Sequence, residues 1–520
     1  MIPSEETPSG VTFVHWLLRK FLPERTFNKL LWYRTSVLVL TYITYICYHA
    51  AKRPLAVLKS YFNRSCTDII PPPYIIINDT NRDTWCDWAP FDGPHAGTVL
   101  GALDSSFLFA YAASMFVSGF VAERMSLRYF LAVGMITTGI SCYLFGLAKY
   151  VGIHFLSYYI FVQIFGGIVQ STGWPAVVAV MGNWYGKSKR GLIFGIWNSH
   201  TSVGNMLGSI IASYFLTIDW GLSFIVPGLI TAAVGFINFL FLVDKPEHVD
   251  IYINVPDESE HSVQHEDQSS ESAHENSDNP NTALLSYQNS RKLYSQEREE
   301  RTRRDENAIG MIAALKIPAV VEFSLCLFFA KLVCYTLLFW LPFYINKSTT
   351  YGEKFSGYIS TIFDTGGIAG GIIAGVLSDH SGKSALTCSF MLLVSIPLLC
   401  VYFLYNELYK AASFALNVTL LALVGFFVNG PYALITTAVS AELGTHNTLV
   451  NNSKALATVT AIIDGTGSIG AAVGPLLAGI LLQYGWDKVF YMLLASNICA
   501  FLMLTRLVLK ELFETPNVRG

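Results

Sequence analysis

Twelve apolar stretches, each long enough to cross the roughly 30 Å of hydrocarbon in a bilayer, limit what this chain can become more than any other feature. They lie near 36–56, 98–121, 129–149, 155–181, 191–217 and 222–243, and again near 318–345, 355–378, 385–405, 414–440, 455–483 and 488–508. Lipid offers no hydrogen bonds, so backbone groups in such stretches must satisfy one another within a helix. The expected fold class is therefore an all-α membrane protein of about twelve transmembrane helices. Composition agrees, with 14% charged residues and a mean hydropathy of +0.43, against about a quarter charged in soluble chains.

The two sets of six are separated by residues 244–310, which are rich in Glu, Asp, Ser and Asn. Such a segment cannot bury enough apolar surface to fold alone and reads as a disordered cytoplasmic linker. The expected organisation is a cytoplasmic segment 1–35, a first bundle 36–243 with a luminal loop 59–97, the linker, a second bundle 311–508 and a cytoplasmic tail 509–520. The halves repeat each other. Gly119-x-x-x-Glu123-Arg124-x-x-x-Arg128 follows the second stretch and Gly375-x-x-x-Asp379-His380-x-x-Lys383 follows the eighth, an offset of 256 that Pro175 and Pro431 share. Two pseudo-symmetric six-helix halves are the economical reading.

Sidedness follows from flanking chemistry. Arg19, Lys20, Arg25, Lys29 and Arg34 precede the first stretch and favour a cytoplasmic N-terminus. Loop 59–97 holds the sequons at Asn63 and Asn78 together with Cys66 and Cys86, a combination that suits an oxidising, glycosylating compartment. A Cys66–Cys86 disulfide is expected there, with two free thiols as the alternative. An even number of crossings then returns both termini and the linker to the cytoplasm.

Several function classes find no support. No basic stripe suggests nucleic acid. No zinc-type His/Glu spacing, nucleophile elbow or phosphatase-like His/Arg cluster suggests an enzyme, and no metal or cofactor is expected. Ionisable residues inside the apolar stretches are the informative ones, because each costs about 2.5–3.5 kcal/mol to insert and so marks a candidate site. Lys52 and Arg53 close the first stretch, Lys331 lies in the seventh, and Asp104, Asp364 and Asp464 are the acids. A cation on each half can grip one anionic ligand between them. For Lys331 the competing expectation is a structural pair with Asp364 or Glu322.

The repeated Gly-x-x-x-Glu-Arg-x-x-x-Arg pattern resembles the loop signature of the major facilitator superfamily. Ser171 to Pro175, Asn183 to Lys187, Lys189 to Gly191 and Trp197 to Gly204 resemble the organophosphate:phosphate antiporters within it. Leu327 to Lys331, Phe339 to Ile345, Asn429 to Ser440 and Ile462 to Gly470 look like the sugar-phosphate exchanger branch, relatives of the glucose-6-phosphate translocase. The likeness runs through essentially all twelve stretches.

The resemblance implies that the basic pair ending the first helix binds the substrate phosphate. Other members usually read Arg-Lys where this chain reads Lys52-Arg53, which leaves open which of the two is the ligand. Bacterial relatives place a basic residue where Cys334 stands and a histidine where Thr201 stands, so Lys331 and His200 are near matches. Tyr45, Tyr48, His49, Trp174, Trp197, Asn198, Thr201, Tyr335, Asp104 and Asp364 complete the expected substrate-binding set, the aromatics by stacking on a sugar ring. Glu123, Arg124, Arg128, Asp379 and Lys383 are the expected gating charges, forming a charge-assisted latch that parts as the halves rock.

The function implied is an antiporter exchanging a sugar phosphate, foremost glucose 6-phosphate, for inorganic phosphate across an intracellular membrane, with the endoplasmic reticulum as the expected location. A same-fold carrier of another organic anion and a non-transporting receptor or scaffold are the alternatives.

Overall fold

A computed structural model describes residues 7–21, 28–62, 95–122, 125–185, 197–251, 315–444 and 454–513, with scattered positions between 66 and 91. The expected linker from 252 onward, Asn63, Glu123, Arg124 and the last seven residues lie outside the described residues. Helix α1 (Ser9–Phe21) precedes the first crossing, which starts at Lys29, seven residues before the expected boundary. That crossing is α2 (Lys29–Lys52) continued by α3 (Pro54–Phe62). The remaining helices of this half are α4 (Ala96–Ala122), α5 (Leu127–Val151), α6 (Leu156–Gln170) with α7 (Gly173–Tyr185), α8 (His200–Leu216) and α9 (Trp220–Phe241). The other half has α10 (Val320–Ser348), α11 (Glu353–Ser381), α12 (Ser384–Tyr409), α13 (Phe414–Leu434), α14 (Ser440–Gly444), α15 (Lys454–Leu481) and α16 (Trp486–Phe513). Eleven of the described crossings are long and apolar enough to span a membrane, and α8, described over 17 residues, supplies the twelfth.

Proline sets the breaks. Pro54 has no N–H to offer the Ala50 carbonyl, and the Arg53 N–H takes it instead at 3.2 Å, so the helix bends at the Lys52–Arg53 step and continues to Phe62. The residues from Lys59 to Phe62 are therefore helix rather than the start of a luminal loop, with Lys59, Ser60 and Phe62 buried. Pro175 likewise frees the Ser171 carbonyl, which accepts from Ser118 Oγ at 2.9 Å.

The twofold repeat is visible in how helices touch. Gly204 and Gly208 of α8 lie against the carbonyls of Ile46 and Ala50 on α2, while Gly470 and Gly474 of α15 lie against those of Phe328 and Leu332 on α10. In both halves a four-residue glycine spacing lets one helix backbone meet the other.

The halves meet through α3 on α10, α4 on α15 and α8 on α11. Ser105 Oγ donates to the Ala472 carbonyl at 2.7 Å, and Thr98 Oγ1 reaches the Gly479 carbonyl at 3.4 Å. Cys66 and Cys86 are disulfide-bonded, with Cα atoms 5.5 Å apart, just beyond this end of the bundle. Further hydrogen bonds between the halves run from Arg53 to the Leu338 carbonyl, Lys59 to the Phe339 carbonyl and Asn205 to Asp364. Together these contacts close the protein at the Cys66 end.

A Cβ added at Gly470 would collide with the Phe328 backbone, whereas one added at Gly375 would meet nothing within 4 Å. Gly470→Ala is expected to lower the thermal unfolding midpoint in detergent by several degrees and to reduce the folded yield, with Gly375→Ala leaving both unchanged or slightly raised.

Candidate functional site

The bend at Pro54 brings the chain's first two intramembrane cations to the centre of the bundle, where they do different things. Arg53 is buried, with Nε donating to Ser209 Oγ at 2.8 Å and Nη1 to the Leu338 carbonyl of the opposite half. That carbonyl is available because Pro342, four residues on, has no N–H to bond it. Lys52 has no carboxylate partner among the described residues. Its Nζ stands 4.5 Å from the ring centroid of Tyr111 and 5.7 Å from that of Phe107. Those faces attract a cation but do not cancel its charge.

In the second half, Lys331 is matched. Its Nζ lies 2.7 Å from Asp464 Oδ1 and 5.6 Å from the ring centroid of Tyr432. The partner is neither of the two acids expected from the sequence. Glu322 instead bonds Arg506 at 3.0 Å, and Asp364 accepts from Asn205 Nδ2 at 3.2 Å across the halves. Asp364 Oδ2 and His200 Nε2 are buried atoms without a partner. Cys334 Sγ lies 2.8 Å from Asn429 Oδ1.

An aromatic wall faces these groups. The Tyr45 ring centroid is 4.5 Å from that of His200, 5.4 Å from Trp174, 5.5 Å from His49 and 6.1 Å from Trp197. Trp197 is held by a bond from Nε1 to Thr41 Oγ1 at 3.2 Å, and the Tyr48 hydroxyl meets Thr172 Oγ1 at 3.3 Å. Thr201 Oγ1 meets His200 Nδ1 at 3.2 Å, and the Thr201 N–H bonds the Asn198 carbonyl at 3.3 Å. Tyr335 packs edge-on to Tyr432. The structure thus gathers Tyr45, His49, Trp174, Trp197 and His200 into one wall, with Lys52 one helical turn beyond on α2 and Tyr48 bonded behind it.

Asp104, expected among the substrate-binding residues, lines a cavity together with Lys52. It is fully buried and bonded to Lys59, which also donates to the Phe339 carbonyl at 3.0 Å. Lys59 escaped the sequence reading because Pro54 looked like the end of the helix. The apolar run from Leu55 to Phe62, with a single lysine inside it and an acid in the next stretch, was the available signal.

Of the gating charges, Arg128 is buried, its guanidinium 4.6 Å from the Tyr129 ring centroid. Asp379 is exposed and Lys383 half-buried, and neither forms an ion pair with another described residue. Asn78 is exposed on the loop that carries the disulfide.

Comparison with known proteins follows the same lines. The chain matches the Major Facilitator Superfamily over residues 55–458 and again over 323–520. It is 50% identical to glucose-6-phosphate exchanger SLC37A2 of Bos taurus, covering 93% of this chain and 95% of that one. It is 48% identical to SLC37A2 of Homo sapiens, covering 94% of each. With glucose-6-phosphate exchanger SLC37A1 of Homo sapiens it shares 43% over 99% of this chain and 98% of the other. Among solved structures, a bacterial homolog of the human lysosomal transporter Spinster, inward-facing and unoccupied, superposes with a TM-score of 0.58 at 13% identity, over 92% of this chain and 98% of that one.

Breaking a fully buried ion pair strands a charge and costs about 3–5 kcal/mol, whereas replacing both partners with apolar groups is often neutral. Lys59→Met is therefore expected to cut the folded yield and unfolding midpoint sharply, and Lys59→Met combined with Asp104→Leu to recover most of the loss in the same melting assay.

Proposed function

The chain belongs to the Major Facilitator Superfamily, and on that premise we propose that it exchanges a sugar phosphate, foremost glucose 6-phosphate, for inorganic phosphate by alternating access. It is a multi-pass membrane transporter and not an enzyme. The relatives named above as glucose-6-phosphate exchangers support the sugar-phosphate substrate.

One observation carries the reading: Lys52 is an ammonium within the bundle with no counter-charge among the described residues, and Lys331 of the other half repels it. A phosphate dianion neutralises Lys52 and competes with Asp464 for Lys331, so the ligand supplies what the empty site lacks. Lys52 is assigned the main phosphate contact. Arg53 is assigned to closure, with Lys59, through the carbonyls of Leu338 and Phe339. The wall of Tyr45, Trp174, Trp197 and His200 is assigned to the sugar, and Asn198, Thr201, His49, Tyr48 and Tyr335 to its margins. Arg128, Asp379 and Lys383, with Glu123 and Arg124, are assigned to closure at the opposite end.

An empty carrier must carry an unpaired charge through the switch. Either anion removes that barrier, so movement requires a ligand on each stroke and the net result is exchange. The termini and the 244–310 linker are placed on the cytoplasmic side, and the Cys66–Cys86 loop, with its Asn63 and Asn78 sequons, in the lumen of the endoplasmic reticulum.

Reconstituted vesicles provide the test. Phosphate-loaded vesicles are expected to take up labelled glucose 6-phosphate at least about tenfold faster than phosphate-free ones. Lys52→Ala is expected to lower the rate by about tenfold to a hundredfold, the worth of a charge-assisted hydrogen bond. Equal uptake with and without internal phosphate would overturn the exchange reading.

A further inference from the structure

Behind Lys52 the first half encloses a cavity lined by Asp104, Thr138, Ser141, Gln163 and Gln170, with Phe339 of the other half at its edge. It has room for about two water molecules. Its lining is rich in acceptors, with the amide N–H groups of Gln163 and Gln170 as donors beside Lys52. Thr138 Oγ1 donates to the Gly134 carbonyl at 2.7 Å and Ser141 Oγ to the Val162 carbonyl at 3.2 Å, so each hydroxyl has only lone pairs left to offer. Gln163 uses an amide N–H on the Leu103 carbonyl at 3.4 Å. Asp104 gives one oxygen to Lys59, and its Oδ1 has no partner. Gln170 Oε1 has none either, although Asp104 is only 1% and Gln170 only 4% exposed.

Two buried acceptors without a donor among the described residues, both on side chains that line this space, are costly unless something donates to them. A phosphate is poorly suited, because its ionised oxygens are themselves acceptors that the Asp104 carboxylate repels, and the P–OH that inorganic phosphate keeps near neutral pH is carried on that same charged group. A sugar hydroxyl can donate, and the space matches one or two hydroxyls rather than a whole ring. Lys52 stands at the rim with donors only, the opposite polarity. A ligand with an anionic end and hydroxyls beside it can therefore set its charge on Lys52 and turn its hydroxyls toward these acceptors.

We propose that this cavity is the hydroxyl subsite of the carrier: with the phosphate on Lys52, the sugar directs hydroxyls to Gln170 Oε1 and Asp104 Oδ1 and displaces the water. Gln170 thereby becomes a specificity-determining residue, since a sugar brings uncharged hydroxyls to it, whereas the P–OH of inorganic phosphate comes on the same group as its charge. The identity of the ligand rests on the transport reading above. The hydrogen-bond polarity of the cavity does not.

The test is equilibrium binding to the purified full-length protein of glucose 6-phosphate, its monodeoxy analogues and inorganic phosphate. In the wild type at least one monodeoxy analogue is expected to bind about tenfold more weakly than the parent, the value of one buried hydrogen bond. Gln170→Leu is expected to weaken glucose 6-phosphate by about tenfold, to abolish discrimination against that analogue, and to weaken inorganic phosphate far less. Equal weakening of both ligands, or a deoxy series in which every analogue binds like the parent, overturns the proposal and leaves the cavity to water alone. Should Gln170→Leu fail to fold, the wild-type deoxy series and Gln170→Met decide by the same criteria. Hydroxyl discrimination without exchange in vesicles would sink the transport reading alone; exchange without discrimination would sink the subsite alone; and no binding of glucose 6-phosphate would sink both.

Discussion

A positive charge far from water must be matched or it destabilises the bundle, and the arrangement of this protein's centre follows from how each cation meets that requirement. Lys59 has Asp104 and the Phe339 carbonyl. Lys331 has Asp464. Arg53 has a hydroxyl and a carbonyl, neutral acceptors suited to the several donors of a guanidinium. Lys52 alone is left with aromatic faces, which offer attraction without neutralisation. Of these four, Lys52 is the one left for a ligand to neutralise, and Lys331 is the one whose partner a ligand can displace.

The same requirement applies to the backbone, and there proline is the instrument. Each intrahelical proline leaves a carbonyl four residues earlier without its N–H partner, and lipid cannot supply another. Pro175 frees Ser171 for Ser118 within the first half. Pro342 frees Leu338 for Arg53 across the two halves. The second case differs in consequence, because its acceptor and donor sit on bodies that move apart in alternating access. A bond to a neutral carbonyl is weaker than an ion pair and leaves no stranded carboxylate when it parts, so it suits a contact made and broken on every cycle.

Much of this was legible in the amino-acid order. Span number, the six-and-six division and the depth of Lys52 and Lys331 follow from apolar length and from the cost of buried charge. The close contacts at Gly204, Gly208, Gly470 and Gly474, where matching helices meet, emerge only in the folded bundle. What stayed hidden depended on distances between residues far apart in the chain. Lys59 read as the first residue of a loop because a proline five positions earlier is the usual sign of a helix end, although here the helix bends and continues. Asp464 sat among glycines that explained its segment as packing, so its pairing with Lys331 had no local signal. Gln170, beside the motif at Ser171 to Pro175, carries no charge to draw notice. Its importance lies in an oxygen left without a donor, a property that only the assembled bundle has.

These placements explain why one ligand class suits the site. Lys52 supplies donors and positive charge, and the space behind it supplies acceptors, so the two are complementary to a molecule that is anionic at one end and hydroxylic at the other. Inorganic phosphate can neutralise the charge that blocks the switch, but the P–OH it could offer the acceptors comes on that same charged group. A sugar phosphate meets the two demands with separate groups. The charge therefore governs whether the halves can exchange positions at all, while the neutral acceptors govern which passenger is held more tightly when they do.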